Sequence, residues 1–425
     1  MTKLNHLDYY RLPWTLTDNS ISWLEPTAMC NLACQGCYRK NEINSHKSVE
    51  EVREDLRVFR ENRKTDGISI AGGEPLIHPD IVEIVRIIAE EEGLKPIINS
   101  NGGLLTKELL AELKKAGVFG FTFHVDSRQN RPGWKDANEL DMNELRYQYA
   151  RMLADAGNIS CSFNSTVFEG TMKYIPGMMK WAEKHIDIVQ VMVFILYRAV
   201  NNKLADYYLG PMKIDMDEFV YNEDVPERDD IKADEIVELI RSEYPDYDCC
   251  GYLNGSQKPD SFKWLLGGRL GTKGKIYGYV GSKTLEIIQT FHHLFKNRYL
   301  AYSSPKETRK GRSMMLLSPF DKKIRKTLGK FIKNPLNLLK RLHYQSVMII
   351  QPIDVLEDGR QNMCDGCPDI TVWEGKLVWS CRMEEQFKYG LNLQTYPKDL
   401  MEKVKKTHPE AVEKLVETTV ETTVE

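Results

Sequence analysis

No stretch of this 425-residue chain approaches the roughly 18 consecutive apolar residues that a membrane-spanning helix requires. A helical span is therefore not expected. Met1 to Arg11 contains no apolar run, which excludes a secretory signal there and makes the cytoplasm the expected compartment. Charge of one sign is also missing overall: the formal net charge is -3, so the whole-chain balance singles out no partner. Cysteine is sparse and odd in number. The nine, at 30, 34, 37, 161, 249, 250, 364, 367 and 381, do not suit a disulfide framework in a long chain for which no secretory signal is expected.

What is present is an ordinary apolar fraction of 42% and room for two or three domains. In the first half, strand signals alternate with helix signals. Asp66 to Ala71 reads as a short apolar strand, and Pro79 to Glu91 carries Ile81, Ile84, Val85 and Ile88 at helical spacing. Strands follow at Leu94 to Asn99, Phe119 to Val125, Ser160 to Val167 and Ile188 to Leu196. The helices between them run over Thr106 to Ala116, Glu139 to Ala156 and Met172 to His185. This alternation predicts an α/β fold with a parallel sheet, a partial six-unit (βα)6 barrel of TIM-like form. Functional residues of such folds sit at the C-terminal ends of the strands.

The near-neutral total conceals a strong polarity. Lys203 to Asp248 holds 15 acidic against 5 basic residues, and Lys296 to Gln345 holds 14 basic against 2 acidic. The expected organisation is an N-terminal extension (1–19), a core (20–200), a charged insertion of mixed structure (201–345), a small cysteine-rich module (346–395), and a C-terminal helix with a low-complexity tail (396–425). Within the insertion, strands are expected over Phe262 to Val280 and a helix over Thr284 to Leu294. The tail repeats Glu-Thr-Thr-Val and reads as a frayed end.

The chemistry concentrates in Cys30-Asn-Leu-Ala-Cys34-Gln-Gly-Cys37, with spacing C-x3-C-x2-C. Three thiolates on one loop can hold three irons of a [4Fe–4S] cluster and leave the fourth open for chemistry. Zinc would want a fourth ligand and a different spacing. About 35 residues on, Gly72-Gly73-Glu74-Pro75 follows a strand. A Gly-Gly at a strand end opens the backbone to a close ligand, and the adjacent carboxylate can accept from an ammonium group.

Together these residues resemble the radical S-adenosylmethionine (radical SAM) superfamily, over roughly Ser20 to Leu196. The resemblance implies that Cys30, Cys34 and Cys37 hold the catalytic [4Fe–4S] cluster. It implies that Gly72, Gly73, Glu74 and Pro75 hold the methionyl amine of S-adenosylmethionine. It places Ser100 and Asn101, in Asn-Ser-Asn-Gly, near the cofactor's ribose and carboxylate, and Asp126 and Asn164 at further strand ends beside it. Tyr38 is also expected at the cofactor. The family usually carries an aromatic residue just before the third cysteine; here that residue is Gly36. Radical enzymes acting on polycyclic terpenoid lipids share a small residue there and a similar Leu24-Glu25-Pro26 stretch. The implied chemistry is one-electron cleavage of S-adenosylmethionine to a 5′-deoxyadenosyl radical, which abstracts hydrogen from a substrate or adds to it. The electron would come from a donor such as flavodoxin or ferredoxin.

Cys364-Asp-Gly-Cys367-Pro and Cys381 form a second group. A β-hairpin expected over Trp373 to Trp379, with a Glu-Gly turn, would fold Cys381 back beside the pair. Cys249 or Cys250 is the candidate fourth ligand, Cys250 being preferred. In isolation these thiols read as a zinc knuckle; within the resemblance they read as an auxiliary [4Fe–4S] cluster of a SPASM or twitch-like module. Cys161 reads as a buried core thiol. His124 can exchange a proton at a strand end, Arg128 can bind an anion, and His78 belongs to the turn after Pro75. Residues 321–344 combine Lys and Arg with Ile324, Leu328, Phe331 and Ile332 at helical spacing, which suits peripheral contact with the inner face of an anionic membrane, or packing on the protein's own acidic region. Few aromatics interleave these charges, so nucleic acid is not expected. The expected function is a radical SAM enzyme acting on a small molecule, in first place a lipid or isoprenoid. A peptide- or protein-modifying maturase and a non-catalytic iron–sulfur or zinc protein are the alternatives.

Overall fold

A computed structural model describes residues 4–198, 204–219, 228, 230–398 and 400–407. Six strands form a consecutive parallel array: β1 (Ile21–Thr27), β2 (Gly67–Gly72), β3 (Lys95–Ser100), β4 (Gly120–His124), β5 (Ser160–Val167) and β6 (Val191–Leu196). Their register places Leu24 beside Ile70, Ile70 beside Ile98, Ile98 beside Phe121 and Phe121 beside Cys161. The crossovers carry α1 (Val49–Asn62), α2 (Ile81–Arg86, continuing as a wide turn to Glu91), α3 (Lys107–Lys115), α4 (Asn143–Ala156) and α5 (Ile175–Lys184). Ser48 and Glu51 close a reciprocal cap on α1, which satisfies two backbone donors at its start. The fold is thus mixed α/β with a mostly parallel central sheet, as the alternation of signals implied.

Side-chain alternation along these strands defines two faces. Phe121, Phe123, Phe163, Met192 and Phe194 are fully buried under the helices. Cys161, expected as a core thiol, is buried there too, and burial pushes its thiol up. The alternate residues Asn99, His124, Asn164, Thr166 and Ile195 are only partly buried. They line the concave face of an open sheet.

The basic-rich half extends the same sheet. Strand β9 (His343–Ile350) lies parallel to β6, with Ser346 beside Val191. It straddles the boundary expected at residue 345. Antiparallel to β9 runs β7 (Trp264–Thr272), which also pairs with β8 (Lys275–Tyr279). Helix α6 (Ala233–Glu243) packs beside α5, and helix α7 (Ser282–Lys296) leads to Asn297–Tyr302, which covers the N-terminal ends of the parallel strands. Ala301 N–H donates to Asp66 (3.0 Å), Lys95 Nζ donates to the Tyr302 carbonyl (2.9 Å), and the Tyr302 hydroxyl meets Thr122 (3.2 Å). At the other edge, hairpin β10 (Ile370–Trp373) and β11 (Lys376–Trp379) packs against β1. Its turn is the expected Glu374-Gly375, with φ of 47° and 73°, the left-handed pair a tight hairpin requires.

Helix α8 (Lys322–Ile332) revises one expectation. Ile324, Thr327 and Phe331 are buried over β8, Phe331 edge-on to Tyr277 at 5.0 Å. Lys326 and Lys330 pair with Asp246 at 3.0 and 2.6 Å, and Lys323 pairs with Asp248. The apolar stripe read within 321–344 as a membrane contact therefore faces the protein's own core along 324–331, and part of the basic face answers the acidic segment. Among the described residues, no helix is long and apolar enough to cross a membrane.

His343, which opens β9, is buried and its Nδ1 has no hydrogen-bond partner. Burial holds its imidazole down at about 4, with Arg309, Arg341 and Lys273 acting the same way and Asp187 opposing them. An unfolded histidine protonates near 6.5. The folded state binds this proton less readily, so the stability His343 contributes is present above pH ~6.5 and is lost as pH falls towards about 4. Urea midpoints of the metal-free chain should drop across that window, and the drop should be smaller in His343→Gln.

Candidate active site

All nine cysteines are free thiols. The first three lie on the loop after β1, and this loop is held at several points. Cys30 N–H donates to Asn41 Oδ1 and Asn41 Nδ2 donates back to the Cys30 carbonyl, both at 2.9 Å. Gln35 N–H donates to the Arg128 carbonyl (2.9 Å) and Asn130 Nδ2 to the Ala33 carbonyl (2.9 Å). Burial, then Asp126, then the neighbouring thiols push the Cys34 thiol up. A metal bound here would have to supply the drive for deprotonation, as ligating sulfur is a thiolate.

The Gly-Gly-Glu-Pro segment lies directly against this loop. Gly73 N–H donates to the Thr27 carbonyl and Glu74 N–H to the Met29 carbonyl, both at 2.8 Å. A Cβ on Gly72 would stand 2.3 Å from the Thr27 oxygen, and one on Gly73 2.2 Å from the Met29 oxygen. Glycine is required here by contact between two backbones, before any ligand is considered.

Glu74 departs from its expected role. Its carboxylate is 1% exposed and accepts from Leu76 N–H (3.0 Å), Ser100 Oγ (2.7 Å) and Asn101 N–H (2.6 Å). It ties the turn after β2 to the end of β3 and does not present itself to an ammonium group. Pro75 starts the short turn that follows, and His78 sits in that turn as expected, its Nε2 donating to the Lys47 carbonyl (2.8 Å) and its Nδ1 accepting from Asp80 N–H (3.1 Å). Asn101 joins this framework to the cysteine loop through Asn31 Oδ1 (2.7 Å).

Asp126 is buried at the end of β4. It accepts from His124 Nε2 (2.8 Å), Thr166 N–H (3.1 Å) and Arg128 N–H (2.9 Å). Burial opposes ionisation, but His124 and these two amides outweigh it and hold the carboxyl low. Glu139 and Arg146, both fully buried, brace the same loop: Arg146 donates to Glu139 (2.7 Å) and to the Val125 carbonyl (2.6 Å), and Glu139 accepts from Ser127 N–H (2.7 Å). On the concave face, Asn99 Nδ2 and Asn164 Oδ1 are buried without hydrogen-bond partners. A buried donor and a buried acceptor left open cost free energy unless something meets them. The residues present therefore suit a polar ligand lying across the strand ends, above a loop of three thiols.

Residues 24–182 match the family model described as the radical SAM superfamily. The chain carries a radical SAM core. An AdoMet-dependent heme synthase of Methanosarcina barkeri is 35% identical over 25% of this chain and 30% of its own length. A GTP 3′,8-cyclase of Rhodopirellula baltica is 22% identical over 59% of this chain and 65% of its own. Streptococcus suis SuiB bound to S-adenosylmethionine overlays 54% of this chain and 47% of its own, with TM-score 0.39 and 17% identity. The chain thus spans less than two thirds of the curated relatives it matches.

Within the radical SAM core, Gly36 adopts φ +71°, and a Cβ there would stand 2.9 Å from the Tyr197 ring and 3.3 Å from Phe168. Phe168 and Tyr197 stack at 4.8 Å, with the Arg128 guanidinium 5.3 Å over Phe168. The space beside the third cysteine is thus filled by rings from the ends of β5 and β6. Tyr38, expected at the cofactor, lies instead against Ser380, with Asp369 and Cys381 near. Burial raises its phenol.

Tyr38 therefore bridges towards the second cysteine group. Cys364 and Cys367 are in thiol contact, and that bond together with nearby Lys263 makes Cys364 the more acidic of the two. Cys381 follows Ser380 on the far side of the hairpin. Glu25 reinforces the junction, pairing with Arg39 and accepting from Ser380 Oγ (2.6 Å) and Trp23 Nε1 (3.1 Å). Neither candidate fourth ligand joins this trio: the Cys250 thiol donates to the Leu266 carbonyl (3.4 Å), and Cys249 lies 4.0 Å from the Tyr247 hydroxyl. Among the described residues, no three His, Cys, Asp or Glu side chains are gathered tightly enough to hold a single metal ion.

Sequence reasoning missed Glu25, Arg39, Asn41, Glu139 and Arg146. A charge just before the loop and another just after Cys37 were visible, but their pairing depends on how the loop folds back.

Proposed function

We propose that this chain is a radical SAM enzyme that modifies a lipid or isoprenoid-like substrate. Cys30, Cys34 and Cys37 would hold a [4Fe–4S] cluster, and Cys364, Cys367 and Cys381 an auxiliary one. When bound, the cluster and S-adenosylmethionine would supply a 5′-deoxyadenosyl radical after one electron from a donor such as flavodoxin or ferredoxin.

The observation that carries the radical SAM reading is the backbone seam between Gly73–Glu74 and Thr27–Met29, which fixes the glycine pair against the cysteine loop. Along that seam the backbone of Gly72 and Gly73 binds the amino-acid end of the cofactor, while Glu74, Ser100 and Asn101 hold the seam in place. Asn99 Nδ2 and Asn164 Oδ1 complete the cradle with the donor and acceptor they have to spare. Phe168 and Tyr197 offer the aromatic surface that Gly36 lacks. His124, its ring oriented by Asp126, exchanges a proton with substrate at the mouth. The small residue before Cys37 supports the lipid reading.

Reconstituted anaerobically with iron and sulfide, the chain should release 5′-deoxyadenosine faster when a lipid extract is added, with a mass change in one lipid. Stimulation by peptides alone would contradict this substrate class. Paired Cys364→Ala and Cys367→Ala should lower iron and sulfide content without abolishing it. Cys250→Ala should leave both unchanged.

A further inference from the structure

Of the nineteen large hydrophobic side chains that stand exposed among the described residues, nine fall between positions 291 and 339. They are not on the inward stripe of α8. Phe291, Leu294 and Phe295 occupy the outer side of α7, with Phe291 and Phe295 stacked at 6.1 Å. Phe320 lines a shallow groove with Phe291 and Ile287. Ile332 ends α8 with its side chain exposed, and Leu316, Leu336, Leu338 and Leu339 stand on the turns flanking the helix, Leu316 at 77% and Leu339 at 85% exposure. Arg312 ties these turns together by donating to the Leu338 and Lys340 carbonyls.

Such a concentration is uncommon on a surface that meets only water. Its surroundings are cationic. The segment Lys296 to Gln345 carries 14 basic and 2 acidic residues. Lys323, Lys326 and Lys330 are answered by Asp246 and Asp248, but Lys322, Lys333, Lys340 and Arg341 pair with no carboxylate among the described residues.

We propose that α7 and the turns flanking α8 form a docking surface for an anionic lipid bilayer, with Phe291, Phe295, Phe320 and Leu339 entering the interfacial region and the unanswered cations meeting lipid headgroups. Protruding rings and leucines set among cations suit that occupant: apolar groups seat below the headgroups while long basic side chains reach the phosphates. Asn297 to Tyr302, which continues from α7, covers the N-terminal ends of the parallel strands, the end opposite the cysteine loop. Docking therefore uses a part of the molecule separate from the active site and stands independently of the substrate reading.

The test is sedimentation of the full chain with vesicles of phosphatidylcholine, with and without phosphatidylglycerol, in the absence of S-adenosylmethionine and reductant. The chain should pellet with anionic vesicles and stay soluble with neutral ones, and salt should weaken the binding. Phe291→Ser/Phe295→Ser/Leu339→Ser should cut the bound fraction about tenfold, and Lys322→Glu/Lys333→Glu/Lys340→Glu/Arg341→Glu should do the same. Circular dichroism would show that both variants fold, and unchanged 5′-deoxyadenosine formation would show that the core is intact. No binding to anionic vesicles, binding that both folded variants retain, or self-association that the apolar variant abolishes would each overturn the proposal.

Discussion

Gly73→Ala should produce a folded chain that no longer binds its cofactors well. The added methyl carbon would stand 2.2 Å from the Met29 oxygen and 2.6 Å from the Met29 carbonyl carbon, and both are backbone atoms that cannot swing aside. Either the turn after β2 or the start of the cysteine loop has to move. Both are anchored, the loop by Asn41 and Asn31 and the turn by Glu74 on Ser100 and Asn101. A displacement near one ångström in a reacting geometry can cost about 100-fold in rate. S-adenosylmethionine cleavage should therefore fall by about that factor, with a lower iron content after reconstitution. Gly329→Ala is the matched control: it lies in α8 with nothing within 4 Å of the added carbon and should leave cleavage unchanged.

Glu139→Ala should be the most destabilising single change near the site. It strips the partner from Arg146, whose side chain has no exposure, and leaves a buried charge with only carbonyls and Asn143 to answer it. Breaking a buried pair from one side costs about 3–5 kcal/mol, whereas replacing both partners by apolar groups of similar volume is often neutral. Urea unfolding should show this loss for Glu139→Ala and recover most of it in Glu139→Met/Arg146→Met. The double variant tests function separately from stability. Glu139 also accepts from Ser127 N–H, so the loop carrying Asp126 and Arg128 should remain loosened, and cleavage should stay impaired in a chain that is again stable.

These two sites mark how far the sequence could be read. The parallel array was legible because each strand is an apolar run and each helix carries its stripe at helical spacing. The same logic located the Glu374-Gly375 hairpin, where two successive left-handed residues leave few alternatives. Local periodicity says which face is apolar and not what will cover it. The stripe on α8 pointed equally to a bilayer and to the protein's own sheet, and only β8, some fifty residues earlier, decides between them. Glu74 looked like a ligand because its partners, Ser100 and Asn101, are invisible until β2 and β3 pair. Tyr38 looked like a cofactor residue because Ser380 lies 342 positions away in sequence. Cys250 looked available until the Leu266 carbonyl appeared beside it.

On the proposed function, the loop of Cys30, Cys34 and Cys37, seated against Gly72 and Gly73, would hold the cluster that cleaves S-adenosylmethionine by one-electron chemistry. The most direct test is chromatography of the nucleoside released when anaerobically reconstituted protein is mixed with S-adenosylmethionine and dithionite. The wild-type chain should release 5′-deoxyadenosine and Cys34→Ala none. Release of no 5′-deoxyadenosine by wild-type protein with a full complement of iron and sulfide, or equal release by Cys34→Ala, would contradict that function.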